Sequence, residues 1–147
     1  MKIGFISLLT IAISAASISA YAYNIEQLNQ FEKTNVCENC DLSSAEFGVG
    51  TSPKSTNHSG ARLVNANLSG IHSISMNLSG ANLQNANLSG AALDYGSLSY
   101  ADLTGTNFDG AYLIGTNLFG AKGAKLENAI ICDSIMPDGT ASIACNN

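Results

Sequence analysis

The chain has 147 residues, only 12% of them charged, with 6 Lys and Arg against 11 Asp and Glu, four Cys and no Trp. A globular domain ordinarily carries about 25% charge; here sixteen Asn and fourteen Gly stand in its place. The length fits one domain. A net charge of −5 argues against sequence-independent nucleic-acid binding, which needs a Lys/Arg footprint, and against docking on an anionic membrane.

Residues 1–22, MKIGFISLLTIAISAASISAYA, carry a short positive n-region (Lys2), an apolar run over 3–13 and a small-x-small end at Ala20-Tyr21-Ala22. This reads as a signal peptide cut after Ala22. The run is too short and too Ser-rich for a membrane anchor, which needs about 20 strongly apolar residues. No Cys follows the cut, so no lipid-modified N-terminus is expected, and no stable membrane anchor remains. The mature chain of 125 residues is expected in the periplasm, secreted, or in another oxidising lumen. Asn24-Ile25-Glu26-Gln27 resembles a capping box, and Ile25, Leu28 and Phe31 share one helix face. The segment 23–36 is therefore read as an N-terminal capping helix, in preference to an amphipathic partner-binding helix.

Two five-residue blocks follow, Cys40-Asp41-Leu42-Ser43-Ser44 and Ala45-Glu46-Phe47-Gly48-Val49. Residues 50–60, GTSPKSTNHSG, have the Gly, Pro, Ser and Asn content of an exposed loop insertion. From residue 61 to 120 the chain then divides into twelve blocks of five. The third position is Leu or Phe in eleven of the twelve, Ser73 being the exception, and the first is Ala in seven. After Ala121-Lys122-Gly123 the frame shifts by three and resumes as AKLEN, AIICD and SIMPD, centred on Leu126, Ile131 and Met136. Pro137-Asp138-Gly139 is a turn signal, and 139–147 forms a C-terminal cap or tail. Period five fits neither the 3.6 of a helix nor the 2.0 of a flat strand. An α-solenoid is excluded because its repeats run to about 30–45 residues.

The pattern A(D/N)LxG resembles the pentapeptide-repeat family across roughly residues 37–138. The resemblance implies an all-β fold, a right-handed quadrilateral β-helix with four blocks per coil, here about four coils. The central residue and the one two before it would point inward, the other three outward. Residues twenty apart then stack into core columns: Leu63, Leu83 and Leu103; Leu68, Leu88 and Phe108; Ser73, Leu93 and Leu113; and Leu78, Leu98 and Leu118. Ser73 would leave space that its bulky neighbours Ile71 and Met76 are placed to fill. Each buried Leu or Phe contributes about 1.5–3 kcal/mol.

Four Cys in an exported chain point to disulfides, with three possible connectivities. In the solenoid the resemblance implies, Cys37 and Cys40 lie at the first coil and Cys132 and Cys145 at the last. Crossing pairs would exceed the roughly 7 Å Cα limit, so Cys132–Cys145 and Cys37–Cys40 are expected. The same separation disfavours a four-Cys zinc site. No βαβ pattern surrounds Cys37-Glu38-Asn39-Cys40 to make it a redox motif, and Asp41 stands where haem attachment would need His. The terminal segments also resemble those of exported family members.

His58, in the loop, and His72, at an outward position, are read as surface residues. No nucleophile–base arrangement, metal site or cofactor motif is visible. The sequons at Asn67, Asn77 and Asn87 are products of the repeat, which leaves Asn57-His58-Ser59 as the better glycosylation acceptor. Two faces are polar, with an Asn67, Asn87 and Asn107 ladder beside Arg62, Asn82, Asp102, Gln84, Ser69 and Ser89. The other two carry Ile74, Tyr95, Tyr100, Tyr112, Ile114 and Phe119, the candidate interaction face. The expectation is a non-enzymatic exported scaffold that binds a protein partner or a second copy through this face. The family's DNA-mimicking, gyrase-inhibiting members supply the alternative. An export signal and faces of Asn and Ser, where a mimic would present Asp and Glu, count against it.

Overall fold

A five-residue block must turn once per repeat, and the fifth position is where it does so. At every fifth position from Gly60 to Gly120 the backbone has positive φ, between 56° and 75°. The residue is Gly at most of these corners and Asn at 65 and 85, the types that adopt this conformation most readily. The next N–H closes the corner onto the central carbonyl, as in Ala66 N–H to Leu63 O at 3.1 Å and Ala81 N–H to Leu78 O at 3.0 Å. These are the hydrogen bond and the φ of a type II turn.

The computed structural model describes Leu42, residues 57–143 and Cys145. Between corners, single residues pair in parallel across coils at a spacing of twenty, from Asn57 with Asn77 to Asp102 with Lys122. Three backbone bonds recur per block. Leu63 N–H donates to Asn82 O, Asn65 N–H to Gln84 O, and Asn82 N–H back to Ala61 O. The ladder leaves the fourth N–H of each block over, and where the second residue is Asn, Asp or Ser its side chain takes it. Oδ1 of Asn67, Asn77, Asn87, Asn107 and Asn117 accepts from the N–H two residues on, at 2.9–3.2 Å. A short amide or carboxylate two residues away is the group that can do this. The low charge of the chain follows, since Asn does the same work as Asp.

First and third positions point inward, and the expected columns are buried. Leu42 is buried too, with its N–H on Arg62 O, which places it above Leu63. Where Thr or Ser replaces the inward Ala, its hydroxyl finds a carbonyl in the preceding coil. Thr106 Oγ1 donates to Leu83 O at 2.7 Å, Thr116 Oγ1 to Leu93 O at 3.0 Å, and Ser134 Oγ to Leu113 O at 2.6 Å. Ser73 is buried between buried Ile71 and Met76.

The frame shift is a shortened side. Beyond Lys122 the pairing distance drops from twenty to eighteen, with Tyr112 opposite Ile130 and Asn117 opposite Ile135. Ala121-Lys122-Gly123 thus makes one side with three residues, turning at Gly123 (φ 67°). Ile131 returns to the core, with Leu126 and Met136 packed partly buried against it. Strand β1 (Ser134–Ile135) then pairs antiparallel with β2 (Ala141–Ser142) through a turn at Pro137-Asp138-Gly139. A disulfide joins Cys132 to Cys145, Cα to Cα 4.4 Å. The hairpin covers one edge of the terminal coil, which a solenoid end requires. The signal peptide, the capping helix of 23–36 and the Cys37–Cys40 pair lie outside the described residues.

The loop reading of residues 50–60 is corrected at its C-terminal end. Asn57 pairs with Asn77, His58 is 1% exposed, and His58 and Gly60 donate to Asn77 O and Ser79 O. Asn57-His58-Ser59-Gly60 is therefore the end of a block, with His58 in the column of Leu78, Leu98 and Leu118. Leu42 and His58 are sixteen residues apart where the regular spacing of these two columns is fifteen (63 to 78).

Candidate interaction surface

Each outward residue belongs to one of four sides. The two sides bearing blocks 61–65 and 66–70, and those stacked on them, present amides and hydroxyls closed on one another. Gln84 Nε2 donates to Asp102 Oδ2 at 2.7 Å, Asn87 Nδ2 to Asn67 Oδ1 at 3.4 Å, and Asn128 Nδ2 to Asp109 Oδ1 at 2.8 Å. The hydrogen bonds of Thr104 and then Gln84 hold the Asp102 carboxyl below the usual carboxylate range. These sides are polar, as expected.

The third side, blocks 71–75, 91–95 and 111–115, carries Ile74 (68% exposed), Tyr95 (65%), exposed Tyr112 and half-buried Ile114. Asp94 lies between the two isoleucines, and its Oδ1 accepts the Ile114 N–H at 3.1 Å, a position where Tyr112 offers no short side-chain acceptor of the Asn or Asp kind. The fourth side, blocks 76–80, 96–100 and 116–120, carries Tyr100 (64%) and Phe119, ring centroids 5.5 Å apart and edge to face. Between Tyr95 and Tyr100 runs a hydroxyl strip in which Ser79, Ser97 and Ser99 bond one another at 2.7–3.1 Å.

The six aromatic and aliphatic residues therefore sit on two adjoining sides, but in two groups: the third side, and the far corner of the fourth. Tyr95 and Tyr100 occupy corners at φ 58° and 59°, a conformation that disfavours a bulky residue. Glycine in the next coil makes room for each ring. A Cβ on Gly115 would meet Tyr95 Cδ1 and Cε1 at 2.5 and 2.8 Å, and one on Gly120 would meet the same atoms of Tyr100 at 2.7 and 2.8 Å. Each ring lies on a glycine, and Tyr100 also meets Phe119, with both tyrosines left largely exposed.

His58 is not on this or any surface. Burial pushes its pKa down from 6.5 to about 4. His72 is exposed, as read. Asn57, read as a loop residue, instead stands in the ladder, where its Oδ1 accepts Ser59 N–H and Asn77 Nδ2–H at 3.2 and 2.9 Å. Among the described residues no three His, Cys, Asp or Glu converge as a metal site.

Four flat sides, left-handed corners and stacked inward leucines define a quadrilateral β-helix. The chain belongs to the pentapeptide-repeat family: the model of pentapeptide repeats matches residues 57–94, 86–122 and 97–136, more than half the chain. The right hand of the coil is that of the family's fold. A pentapeptide repeat protein of the Arabidopsis thaliana thylakoid lumen is similar at 28% identity and a TM-score of 0.63, over 69% of this chain and 71% of that one. QnrB1, a plasmid-mediated fluoroquinolone resistance protein, shares the fold at 24% identity and a TM-score of 0.60. The match covers 69% of this chain and about half of QnrB1, 49%. No curated protein is similar enough in sequence to match.

Proposed function

We propose that this chain is an exported, non-enzymatic pentapeptide-repeat scaffold of about four coils. In this reading a helix over 23–36 caps its N-terminal end, a disulfide-held hairpin caps the other, and the third and fourth sides bind a protein partner or a second copy. The observation that carries the proposal is the placing of Tyr95 and Tyr100, each in a left-handed corner where glycine is the favoured residue. Such a conformation costs a side chain about 1–2 kcal/mol, yet both rings are left about two-thirds exposed. Tyr, Ser, Asn and Gly together form the composition of adaptable recognition surfaces, in which rigid rings anchor and small polar groups adjust. Residence of a similar protein in the thylakoid lumen supports a compartment reached by export. The gyrase-directed alternative needs carboxylates in ladder positions, and the Asn67, Asn87 and Asn107 ladder presents amides.

The test is sedimentation velocity of the chain beside Tyr112→Ser/Phe119→Ser, alone and with the exported fraction of its source. Loss of the heavier species in the variant supports the proposal. Identical profiles for the two proteins refute it, and a cytosolic mature protein bound to gyrase would select the alternative.

A further inference from the structure

The acidic balance of the described solenoid is not spread evenly over its sides. Arg62, Lys122 and Lys125 all lie on the two polar sides, where Asp102, Asp109 and Glu127 balance them. The aromatic sides carry Asp94, Asp133 and Asp138 with no Lys or Arg. The whole negative excess of residues 57–143 therefore falls on the sides that bear the exposed rings.

Two of these carboxylates stand in register with the tyrosines. The eighteen-residue pairing of Tyr112 with Ile130 and of Asn117 with Ile135 puts Asp133 on Gly115 and Asp138 on Gly120. The ladder bonds agree, with Gly115 N–H on Cys132 O and Gly120 N–H on Pro137 O. One corner column thus reads Tyr95, Gly115, Asp133 and the other Tyr100, Gly120, Asp138, along the two edges of the fourth side. At roughly 4.8 Å per coil, Tyr and Asp backbones are about 10 Å apart, and the ring, lying on the glycine, spans part of that gap. Asp133 is exposed at φ 53°. Asp138 Oδ1 accepts Thr140 N–H and Oγ1–H at 2.9 and 2.6 Å, which fixes the carboxylate.

We infer that these twin columns are seats for cationic side chains, and that the partner of the aromatic face is an arginine-bearing polypeptide segment. The inference rests on the proposed protein-binding role of that face and supplies its chemistry. A guanidinium can stack on an open tyrosine face while donating in fork geometry to a carboxylate beyond it, whereas an ammonium is a point charge with neither a plane to stack nor a rigid fork. A second copy of the chain would bring acid to acid at these corners. The hydroxyl strip between the columns supplies neutral hydrogen-bonding groups for the intervening backbone.

The test uses fluorescein-labelled hexa-arginine, hexalysine and hexaglutamate peptides, titrated with the purified chain in an anisotropy assay at low and physiological salt. Hexa-arginine is expected to bind more tightly than hexalysine, and hexaglutamate not at all. Tyr95→Asn/Tyr100→Asn and Asp133→Asn/Asp138→Asn should each weaken hexa-arginine by about tenfold. Asn already fills corners 65 and 85, so the first variant keeps a corner the fold accepts, and circular dichroism checks this. Asp102→Asn/Asp109→Asn, on the polar sides, should change binding less than twofold. Equal weakening by both carboxylate pairs, or no hexa-arginine binding, overturns the inference. If that happens while Tyr112→Ser/Phe119→Ser still dissolves the sedimenting complex, the interaction face stands and only its cationic partner is lost.

Discussion

Mild acidification acts on the described solenoid through a buried imidazole. His58 occupies a central inward position in the column of Leu78, Leu98 and Leu118, 1% exposed, and loss of water around the imidazolium pushes its pKa from 6.5 to about 4. The folded chain keeps His58 neutral where the unfolded chain binds a proton. Stability is therefore undiminished above pH 6.5, falls as the pH drops from 6.5 towards 4, and levels off below. At 1.36 kcal/mol per unit the full loss is about 3 kcal/mol, of which about 2.5 has gone by pH 4.5. Urea unfolding at pH 7.5 and 4.5 measures it, with His58→Leu and the exposed-site control His72→Asn alongside. His58→Leu continues the leucine column, so its loss between the two pH values should be smaller than that of the parent by about 2–2.5 kcal/mol. Carboxylates such as Asp102 and Asp138, held below their ordinary range by hydrogen bonds, are common to all three proteins and cancel. Repeats contact only their neighbours, so the loss should be concentrated in the coil that holds His58. Amide exchange of His58 and Gly60, which donate to Asn77 O and Ser79 O at 2.8 Å, reports it locally. Parallel pH dependence of the parent and His58→Leu would refute both the burial and the magnitude.

Four further perturbations separate the parts of the fold. Gly90→Ala should cost about 1 kcal/mol from its left-handed φ of 64° alone, since nothing lies within 4 Å of the new Cβ. Gly115→Ala should cost at least about 1 kcal/mol more, because Tyr95 must leave its seat; equal urea midpoints would mean that the ring does not rest there. Thr116→Val keeps the shape and removes the bond to Leu93 O at 3.0 Å, a loss of about 1 kcal/mol that should vanish if the hydroxyl contributes nothing. Reducing Cys132–Cys145, thirteen residues apart, should lower stability by about 3 kcal/mol. Exchange should quicken in β2 and leave the amides of 81–100 protected; uniform quickening would contradict a local cap.

Much of the fold is legible because the repeat uses one large apolar residue per turn of the chain, so a count by fives assigns the core. Leu126, Ile131 and Met136 likewise betray the three-residue side in the primary structure. His58 was hidden by its type and its setting. A tract of Gly, Ser, Pro and Asn reads as loop, and an imidazole does not read as core. The clue was the frame, since Asn57-His58-Ser59-Gly60 copies Asn67-Leu68-Ser69-Gly70 with one substitution, twenty residues before Leu78. The bonds of Thr106 and Thr116 to carbonyls twenty-three residues back could not be anticipated from spacing within a block. They exist only because one coil lies on the next. The charge asymmetry was obscured for a similar reason, because net charge is a sum and the side to which Asp133 or Asp138 belongs depends on the shortened turn at Gly123.

The chemistry of the repeat also dictates where distinctive function can sit. First and third positions are committed to the core. The second is largely committed to the left-over N–H of the fourth, which Asn or Asp accepts. Only the fourth and fifth positions are free of such duties, and the fifth is restricted by its positive φ. Ile74, Ile114 and Phe119 stand at fourth positions and Tyr95 and Tyr100 at fifth. Tyr112 is the exception that tests the rule: it takes a second position, and the N–H it leaves at Ile114 is recovered by Asp94 from the coil before. Asp94 therefore makes Tyr112 tolerable and, on the same side, adds to the charge that the aromatic face presents.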